Sequence, residues 1–215
     1  AETGGQRRSH DIGAEIWSTP AVVDGVVYFG TMDGSLMALR EDGGGPRELF
    51  KAGGAIASTP IVANGIVYVG SFDKKFYAIN AANGQRIWAF EAENWFWAQA
   101  LLDDFRDSLY VGSLDGKIYA LNINTGGLIW SFQAEQGIRS KAVLIENLVV
   151  VGSRDGKVYA LDSVTGQKRW EFDAGARILA PLSTDGQRIY VSTVDDTLFA
   201  LSSQGSEVWR NSISQ

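Results

Sequence analysis

The sequence contains no cysteine and only one histidine, and these two shortages exclude several kinds of active site. Without cysteine the chain forms no disulfide, no thiolate metal site and no cysteine nucleophile. With His10 as the sole imidazole, multi-histidine metal sites are ruled out and a histidine-based catalytic triad is hard to build. We therefore predict no metal-binding residues.

Long apolar runs and an excess of positive charge are also missing. No apolar run approaches about 18 residues, the length that a membrane-spanning helix needs, so no transmembrane segment is predicted. The formal net charge is -6. This charge argues against nucleic acid as a partner, because the phosphate backbone requires a basic face.

What the sequence does have is a repeat, built around many of its 25 glycines. Five similar segments begin at Gly30, Gly70, Gly112, Gly152 and Ser192, which are 40, 42, 40 and 40 residues apart. The first four read GTMDGSLMAL, GSFDKKFYAI, GSLDGKIYAL and GSRDGKVYAL, and the fifth, STVDDTLFAL, is a weaker copy. A period of roughly 40 residues is typical of the blades of a β-propeller.

Each copy supplies four short runs with strand character, separated by turns such as Asn64-Gly65 and Thr165-Gly166. The third run, KIYAL in one copy, is apolar on both faces, as expected for a sheet that lies between two others. We predict an all-β fold: a single β-propeller domain over residues 1–215, with about five four-stranded antiparallel blades. We expect a closed ring. The alternative is an arc of a seven- or eight-bladed propeller, whose open faces would favour self-association.

The N-terminus has the features of a further outer strand. Thr3-Gly4 lies 10 residues before Gly13, the same offset that separates Thr165-Gly166 from Gly175. Residues 6–12 are therefore predicted to form an additional outer strand, with Arg8 at the position that tryptophan occupies in the later copies.

Three stretches share a longer motif. They read AINAANGQRIW (78–88), ALNINTGGLIW (120–130) and ALDSVTGQKRW (160–170). This pattern resembles the tryptophan-docking motif of PQQ-like β-propeller repeats, a family that includes quinoprotein alcohol dehydrogenases and BamB-type outer-membrane assembly lipoproteins. The resemblance implies that Trp88, Trp130 and Trp170 each dock on the neighbouring blade. In the last copy Trp209 comes one residue early, and in the first copy we expect Phe50 to take the tryptophan place.

The resemblance implies two branches, and the residues favour the non-enzymatic one. Quinoprotein dehydrogenases use a vicinal cysteine pair and a Ca²⁺ ion, whereas this chain lacks cysteine and has less than half the expected length. We therefore predict no cofactor and no enzyme activity. The expected function is that of a BamB-like scaffold that binds a protein or peptide partner on one face. The expected location is extracytoplasmic, in the periplasm or at the cell surface, and the sequence does not exclude the cytoplasm. The alternatives are a carbohydrate or small-ligand module that uses Trp95 and Trp97, and a degenerate quinoprotein.

The segments that link consecutive blades vary most, and they carry the candidate site. Their triplets are EIW (15–17), AIA (55–57), WFW (95–97), GIR (137–139) and RIL (177–179). The middle residue is always apolar, so we predict that Ile16, Ile56, Phe96, Ile138 and Ile178 are core residues. The candidate partner-binding residues are Trp17, Trp95, Trp97, Arg139 and Arg177, since exposed aromatic and arginine side chains are typical anchors for partners. The other interpretation of Trp95 and Trp97 is that they plug the central channel.

An aspartate recurs in the turn between the second and third runs of every copy. Two interpretations are open: a ring of carboxylates that binds cations, or turn chemistry in which each side chain hydrogen-bonds the nearby backbone. The second is favoured, because glycine follows in three of the five turns. The aspartates are Asp33, Asp73, Asp115, Asp155 and Asp195.

Overall fold

The structure is a computed structural model that describes residues 9–212, and five four-stranded antiparallel sheets follow one another along this part of the chain. Blade 1 contains β1 (Ala21–Val23), β2 (Val26–Gly30), β3 (Ser35–Arg40) and β4 (Arg47–Lys51). Blade 2 contains β5 (Ile61–Ala63), β6 (Ile66–Gly70), β7 (Lys75–Asn80) and β8 (Arg86–Glu91). Blade 3 contains β9 (Leu101–Asp103), β10 (Ser108–Gly112), β11 (Lys117–Asn122) and β12 (Leu128–Gln133). Blade 4 contains β13 (Val143–Ile145), β14 (Leu148–Gly152), β15 (Lys157–Asp162) and β16 (Lys168–Asp173). Blade 5 contains β17 (Ser183–Thr184), β18 (Arg188–Ser192), β19 (Thr197–Ser202) and β20 (Glu207–Ser212).

Strands within each sheet lie in chain order, and tight turns set their pairing. Asn64 and Gly65 both adopt positive φ, 51° and 72°, the conformation that a two-residue hairpin turn requires. Blade 3 instead uses a short 3-10 helix, Asp104–Arg106, which is the only helix in residues 9–212. No helix in these residues has the length and hydropathy needed to span a bilayer. The prediction of an all-β fold with five four-stranded sheets is confirmed.

Consecutive blades pack face to face through four apolar clusters, one for each of the junctions 1/2, 2/3, 3/4 and 4/5. The third strand of each sheet supplies much of this core: Ile118, Ala120 and Leu121 are fully buried. The small Ala120 lets the facing sheets approach, and most of the free energy of folding comes from burying this apolar surface.

Tryptophans from the outer strands complete three of the junctions. The indole N–H of Trp88 donates to the Ile123 carbonyl at 2.9 Å, and that of Trp130 donates to the Ser163 carbonyl at 3.0 Å. Trp170 makes the same contact with Ser203 at 2.9 Å. Each ring also lies against the glycine of the next blade's outer hairpin, where a side chain would collide with it; these glycines are Gly126, Gly166 and Gly205.

The first junction departs from this pattern and corrects one sequence expectation. Arg47, not Phe50, pairs with Ala38, the register position that Trp88 occupies opposite Ala78. Phe50 pairs with Leu36, as Phe90 pairs with Phe76 in blade 2, so it is the counterpart of Phe90 and not of Trp88. Counting residues to the nearest aromatic therefore selected the wrong side chain.

The fifth blade has a face that no other described blade covers. Trp209 pairs with Ala200 as its counterparts do, but it is 37% exposed, and Leu198 beside it is 38% exposed. No apolar cluster in residues 9–212 joins blade 5 to blade 1. These residues thus form an open arc, the alternative to the closed ring that we expected.

The additional outer strand predicted at residues 6–12 lies partly outside the described residues. Residues 6–8, including Arg8, belong to the undescribed part, and residues 9–12 are not in a strand.

Candidate functional site

The four links between blades, together with the segment that leads into blade 1, bring their residues together at the inner edge of the arc. Each link leads into an inner strand, so each places its side chains beside the same central groove. This groove has a volume of about 760 Å³ and takes residues from all five blades. Its lining includes Trp17, Thr59, Trp97, Arg139, Lys141 and Pro181.

The middle residue of the link anchors it, with one exception. Phe96, Ile138 and two equivalents are fully buried, since each packs on the glycine that ends the second strand of the preceding blade, as Ile138 does on Gly112. Ile16 is 44% exposed, because no described blade precedes blade 1 to supply that glycine. The prediction that Ile16 is a core residue is therefore wrong.

Four aromatic rings form a cluster at this groove. The Phe72 ring stacks on Trp95, with ring centroids 4.6 Å apart and planes 8° apart, and on Trp97, with centroids 4.9 Å apart. Trp17 from blade 1 contacts Trp97 at a centroid distance of 6.2 Å. Trp17 is 58% exposed and Trp95 41% exposed, so large parts of both indoles face solvent.

Sequence reasoning missed Phe72. It follows the small Gly70-Ser71 pair in the turn after β6, and its backbone N–H donates to Ala55 in the link before blade 2. The signal was available: this turn position varies between repeats, as the link positions do. The five residues are Met32, Phe72, Leu114, Arg154 and Val194.

Positive charge accompanies the aromatic rings. The Arg139 guanidinium carbon lies 3.9 Å from the centre of the Trp97 ring, within the range of a cation–π contact. Burial, together with the nearby Arg154 charge, holds the pKa of Arg139 below its ordinary value. Among residues 9–212 no carboxylate lies within ion-pair distance of Arg139, Arg154 or Lys141. This side of the groove is basic although the whole chain is acidic.

The structure brings together four of the five predicted partner-binding residues. Trp17, Trp97 and Arg139 line the groove, and Trp95 joins them through Phe72. Arg177 is exposed and has no contact with this cluster among the described residues; only its backbone carbonyl is engaged, by Val194.

The turn aspartates hold neighbouring chain segments in place. Asp115 accepts hydrogen bonds from the Lys117 N–H, the Tyr119 hydroxyl and the Glu93 N–H, and Glu93 belongs to the preceding blade's end. Asp155 makes the same three contacts one blade later. Within residues 9–212 no group of three or more metal-ligating side chains is assembled. The contacts support the turn interpretation.

The sequence profile of the family described as outer membrane protein assembly factor BamB matches residues 1–133 and 114–215, which together span the chain. No curated protein matches the sequence.

Solved structures share the fold at low sequence identity. BamB from Moraxella catarrhalis is 19% identical, with a TM-score of 0.80 over 93% of this chain and 65% of that one. The computationally designed Ika8 protein is 18% identical, with a TM-score of 0.76 over 90% of this chain and 61% of that one. The WD40 β-propeller domain of Doa1 is 14% identical, with a TM-score of 0.76 over 95% of this chain and 70% of that one. The β-propeller fold is thus confirmed, and this chain spans about two thirds or less of the BamB and Ika8 structures.

Proposed function

The chain belongs to the family of the outer membrane protein assembly factor BamB, and we propose that it is a non-catalytic scaffold that binds a protein or peptide partner at its central groove. The family name describes an assembly factor, and the groove offers anchoring side chains. The partner would be a polypeptide segment with both aromatic or aliphatic and acidic side chains.

The observation that carries this proposal is the ordered aromatic cluster beside unneutralised arginine. Trp95 is held on Phe72, so its exposed face is presented in a fixed orientation and binding would cost little side-chain entropy. Arg139 has no carboxylate partner among the described residues, which leaves its charge available to a partner's Asp or Glu. Aromatic and arginine anchors of this kind supply most of the binding energy in protein interfaces.

Exposure supports binding over the channel-plug interpretation. Of the two plug candidates, Trp97 is half-buried, but Trp95 is 41% exposed, whereas a plug residue would be buried by its neighbours. The carbohydrate alternative requires a free indole face for stacking. Trp97 is contacted by Phe72, Trp17 and Arg139, so only Trp95 keeps a free face, and the two indoles do not form a joint stacking platform for a sugar.

Substituting the exposed rings tests the function directly. We expect the Trp17→Ala and Trp95→Ala double variant to keep its melting temperature within a few degrees and to lose binding to acidic-aromatic peptides on an array by at least tenfold. Arg139→Ala should weaken the same peptides and make the residual binding less sensitive to salt. The matched control is Phe105→Ala, which removes a ring that is 91% exposed but lies far along blade 3, in its 3-10 helix.

Two results would count against the proposal. Unchanged peptide binding by a folded double variant would remove the groove from the function. Binding of the native chain to sugars on a glycan array, without binding to any peptide, would favour the carbohydrate alternative instead.

The proposal extends to location and assembly. A scaffold of this family would act in an extracytoplasmic setting, with the periplasm or cell surface as the expected place. The uncovered face of blade 5, with Trp209 and Leu198, adds self-association as a second mode of contact. Sedimentation at increasing protein concentration would measure it.

A further inference from the structure

A second cavity lies between blades 1 and 2, away from the central groove. Its volume is about 920 Å³, within the range of about 300–1,000 Å³ that small-ligand sites occupy. It is lined by Tyr28 and Ala38 from blade 1, by Arg47 at its edge, and by Asn80 and Ala81 from blade 2. None of these residues belongs to the aromatic cluster described above.

The position of this cavity is informative because the other junctions fill the equivalent place. At junction 2/3, Trp88 lies against Tyr68 with a centroid distance of 5.9 Å and pairs with Ala78. Tyr28 and Ala38 are the blade 1 counterparts of these two residues. Where blade 2 places an indole, blade 1 places the flexible side chain of Arg47.

Arg47 reproduces the polar contact of the missing indole but not its bulk. Its guanidinium reaches the Ala81 carbonyl at 3.5 Å and the Ala82 carbonyl at 3.3 Å. Ala81 corresponds to Ile123, whose carbonyl accepts the Trp88 N–H at 2.9 Å. The longer distances leave the Ala81 carbonyl weakly bonded, so it still has capacity for a better donor.

Two further features define the open space. Leu49, which the strand irregularity leaves without a partner residue in the ladder, is buried and lies against Gly84, so it fills the part of this junction where a tryptophan ring covers the glycine in the others. Beside it Tyr28, which is buried, lines the cavity, and its hydroxyl has no hydrogen-bond partner among residues 9–212. The lining of the remaining space is therefore mostly apolar, with the weakly bonded Ala81 carbonyl nearby.

We propose that this junction is a binding site for an indole side chain presented by a partner polypeptide. The ring would lie on Tyr28 and Ala38, and its N–H would donate to the Ala81 carbonyl, as Trp88 does one junction later. The cavity is much larger than one ring, which leaves room for the flanking backbone of a peptide and favours a peptide over a free small molecule. This chain docks its own tryptophan at three junctions and would offer the cavity at the fourth to a partner.

A fluorine-labelled peptide tests this site without interference from the protein's own tryptophans. The probe is a pentapeptide, Gly-Ser-Trp-Ser-Gly with blocked ends and 5-fluorotryptophan at its centre, followed by ¹⁹F NMR against the whole chain. We expect a saturable change in the fluorine signal that is absent for a peptide of the same sequence with 4-fluorophenylglycine. Free 5-fluoroindole is the second arm: saturation by free indole alone, with none by the peptide, would overturn the assignment to a polypeptide.

Substitutions locate the binding. Arg47→Trp restores the family motif and fills the cavity with the chain's own indole, so it should weaken peptide binding at least tenfold while raising the melting temperature. Ala82→Trp would fill the same cavity from its exposed rim on blade 2. If Arg47→Trp does not fold, the same loss of peptide binding is expected from Ala82→Trp. Trp17→Ala at the central groove should leave this binding unchanged, which separates a failure here from a failure of the proposed function.

Arg47→Ala is the matched control, because it removes the guanidinium but keeps the cavity open. We expect its affinity to stay within about threefold of the native chain. Equal loss of binding in Arg47→Ala and Arg47→Trp would show that the guanidinium, not the cavity, holds the peptide, and would overturn the proposal. So would unchanged binding in both filled variants.

Discussion

The junction between blades 3 and 4 and the junction between blades 1 and 2 solve the same packing problem differently. In the first, Trp130 is 8% exposed, its N–H is paired with Ser163, and it contacts Tyr110 at a centroid distance of 5.6 Å. In the second, Arg47 is exposed, Leu49 covers the glycine, and a cavity remains beside them. A propeller of this family therefore does not need a tryptophan at every junction, and the omitted ring leaves usable space.

The origin of the difference lies in the outer hairpin. In blade 3, Trp130 follows Ala120 by ten residues. Blade 1 instead reaches its outer strand through the glycine-rich segment 41–46, and the register shift in its third strand lies two positions before the place that it has in blade 3. The shift brings Arg47 opposite Ala38 and leaves Leu49 against Gly84. Strand register thus decides which side chain docks, independently of which residue is aromatic.

The largest effect that the comparison predicts is the loss of a docked ring. We expect Trp130→Ala to lower the free energy of unfolding by about 3–5 kcal/mol, since a large buried side chain is removed and its cavity cannot collapse fully. The matched change Arg47→Ala removes an exposed side chain and should cost less than about 1 kcal/mol. Urea unfolding of both variants beside the native chain measures the difference.

Similar losses in the two variants would contradict the comparison. A loss below about 1 kcal/mol for Trp130→Ala would mean that the ring does not stabilise the junction.

The next effect concerns the glycine on which a docked ring lies. Gly126 has φ of 69°, and a Cβ there would lie 2.6 Å from the Trp88 ring. Gly25 has nearly the same φ, 71°, but no atom within 4 Å of the corresponding position. We expect Gly126→Ala to cost about 1–3 kcal/mol and Gly25→Ala only the backbone part of that cost, about 1 kcal/mol.

Thermal unfolding of the two glycine variants isolates the contact with the ring, because the backbone strain is common to both. Equal destabilisation would show that Trp88 moves aside freely, which would weaken the view of the docked ring as a rigid part of the junction.

The sequence was sufficient for the blades but not for their exceptions. A period near 40 residues and the alternation of strands and turns predicted five sheets, because each repeat must bury both of its faces. The assignment of Phe50 was wrong, because Phe50 matches Phe90, which follows the docked Trp88 by two residues, and blade 1 has Arg47 at the tryptophan position itself. The sequence pattern also predicted that Ile16 is a core residue. This prediction failed because the equivalent residues are buried against a glycine of the preceding blade, as Ile56 is against Gly30, and no described blade precedes Ile16.

The candidate site was only partly visible for a related reason. Trp17, Trp97 and Arg139 were found because the link triplets vary between repeats. Phe72 was missed although its turn position also varies between repeats, because only the folded chain brings this turn against the next link. Arg177 is predicted on the same grounds as Arg139, but the groove is lined by Leu179, Ala180 and Pro181 of its link and not by Arg177, which is exposed.

The smallest effect lies in the hairpin that presents the docking carbonyl. In blade 4 the Asp162 carboxylate accepts the backbone N–H groups of Val164 and Thr165 and pairs with Arg169 at 2.8 Å. In blade 3 Asn122 makes the same two backbone contacts through a neutral amide oxygen. Asp162→Asn therefore keeps the turn that presents the Ser163 carbonyl to Trp130, and loses only the charge.

The pH dependence of that variant follows from the direction of the pKa shift. The Arg169 guanidinium, followed by the backbone N–H of Thr165, holds the pKa of Asp162 well below its usual range. A carboxyl whose folded-state pKa is lowered stabilises the protein above its unfolded-state pKa, near 3.9, and this stabilisation is lost as the pH falls through the lower, folded-state value.

The pair is solvent-accessible, so Asp162→Asn should cost about 1 kcal/mol or less at neutral pH and low salt. The difference between native chain and variant, measured by urea unfolding, should shrink between about pH 4 and pH 2, and also in about 1 M salt. A difference that does not decrease as the pH falls below about 4 would mean that the amide fails to hold the turn, and the equivalence of the blade 3 and blade 4 hairpins would then be lost.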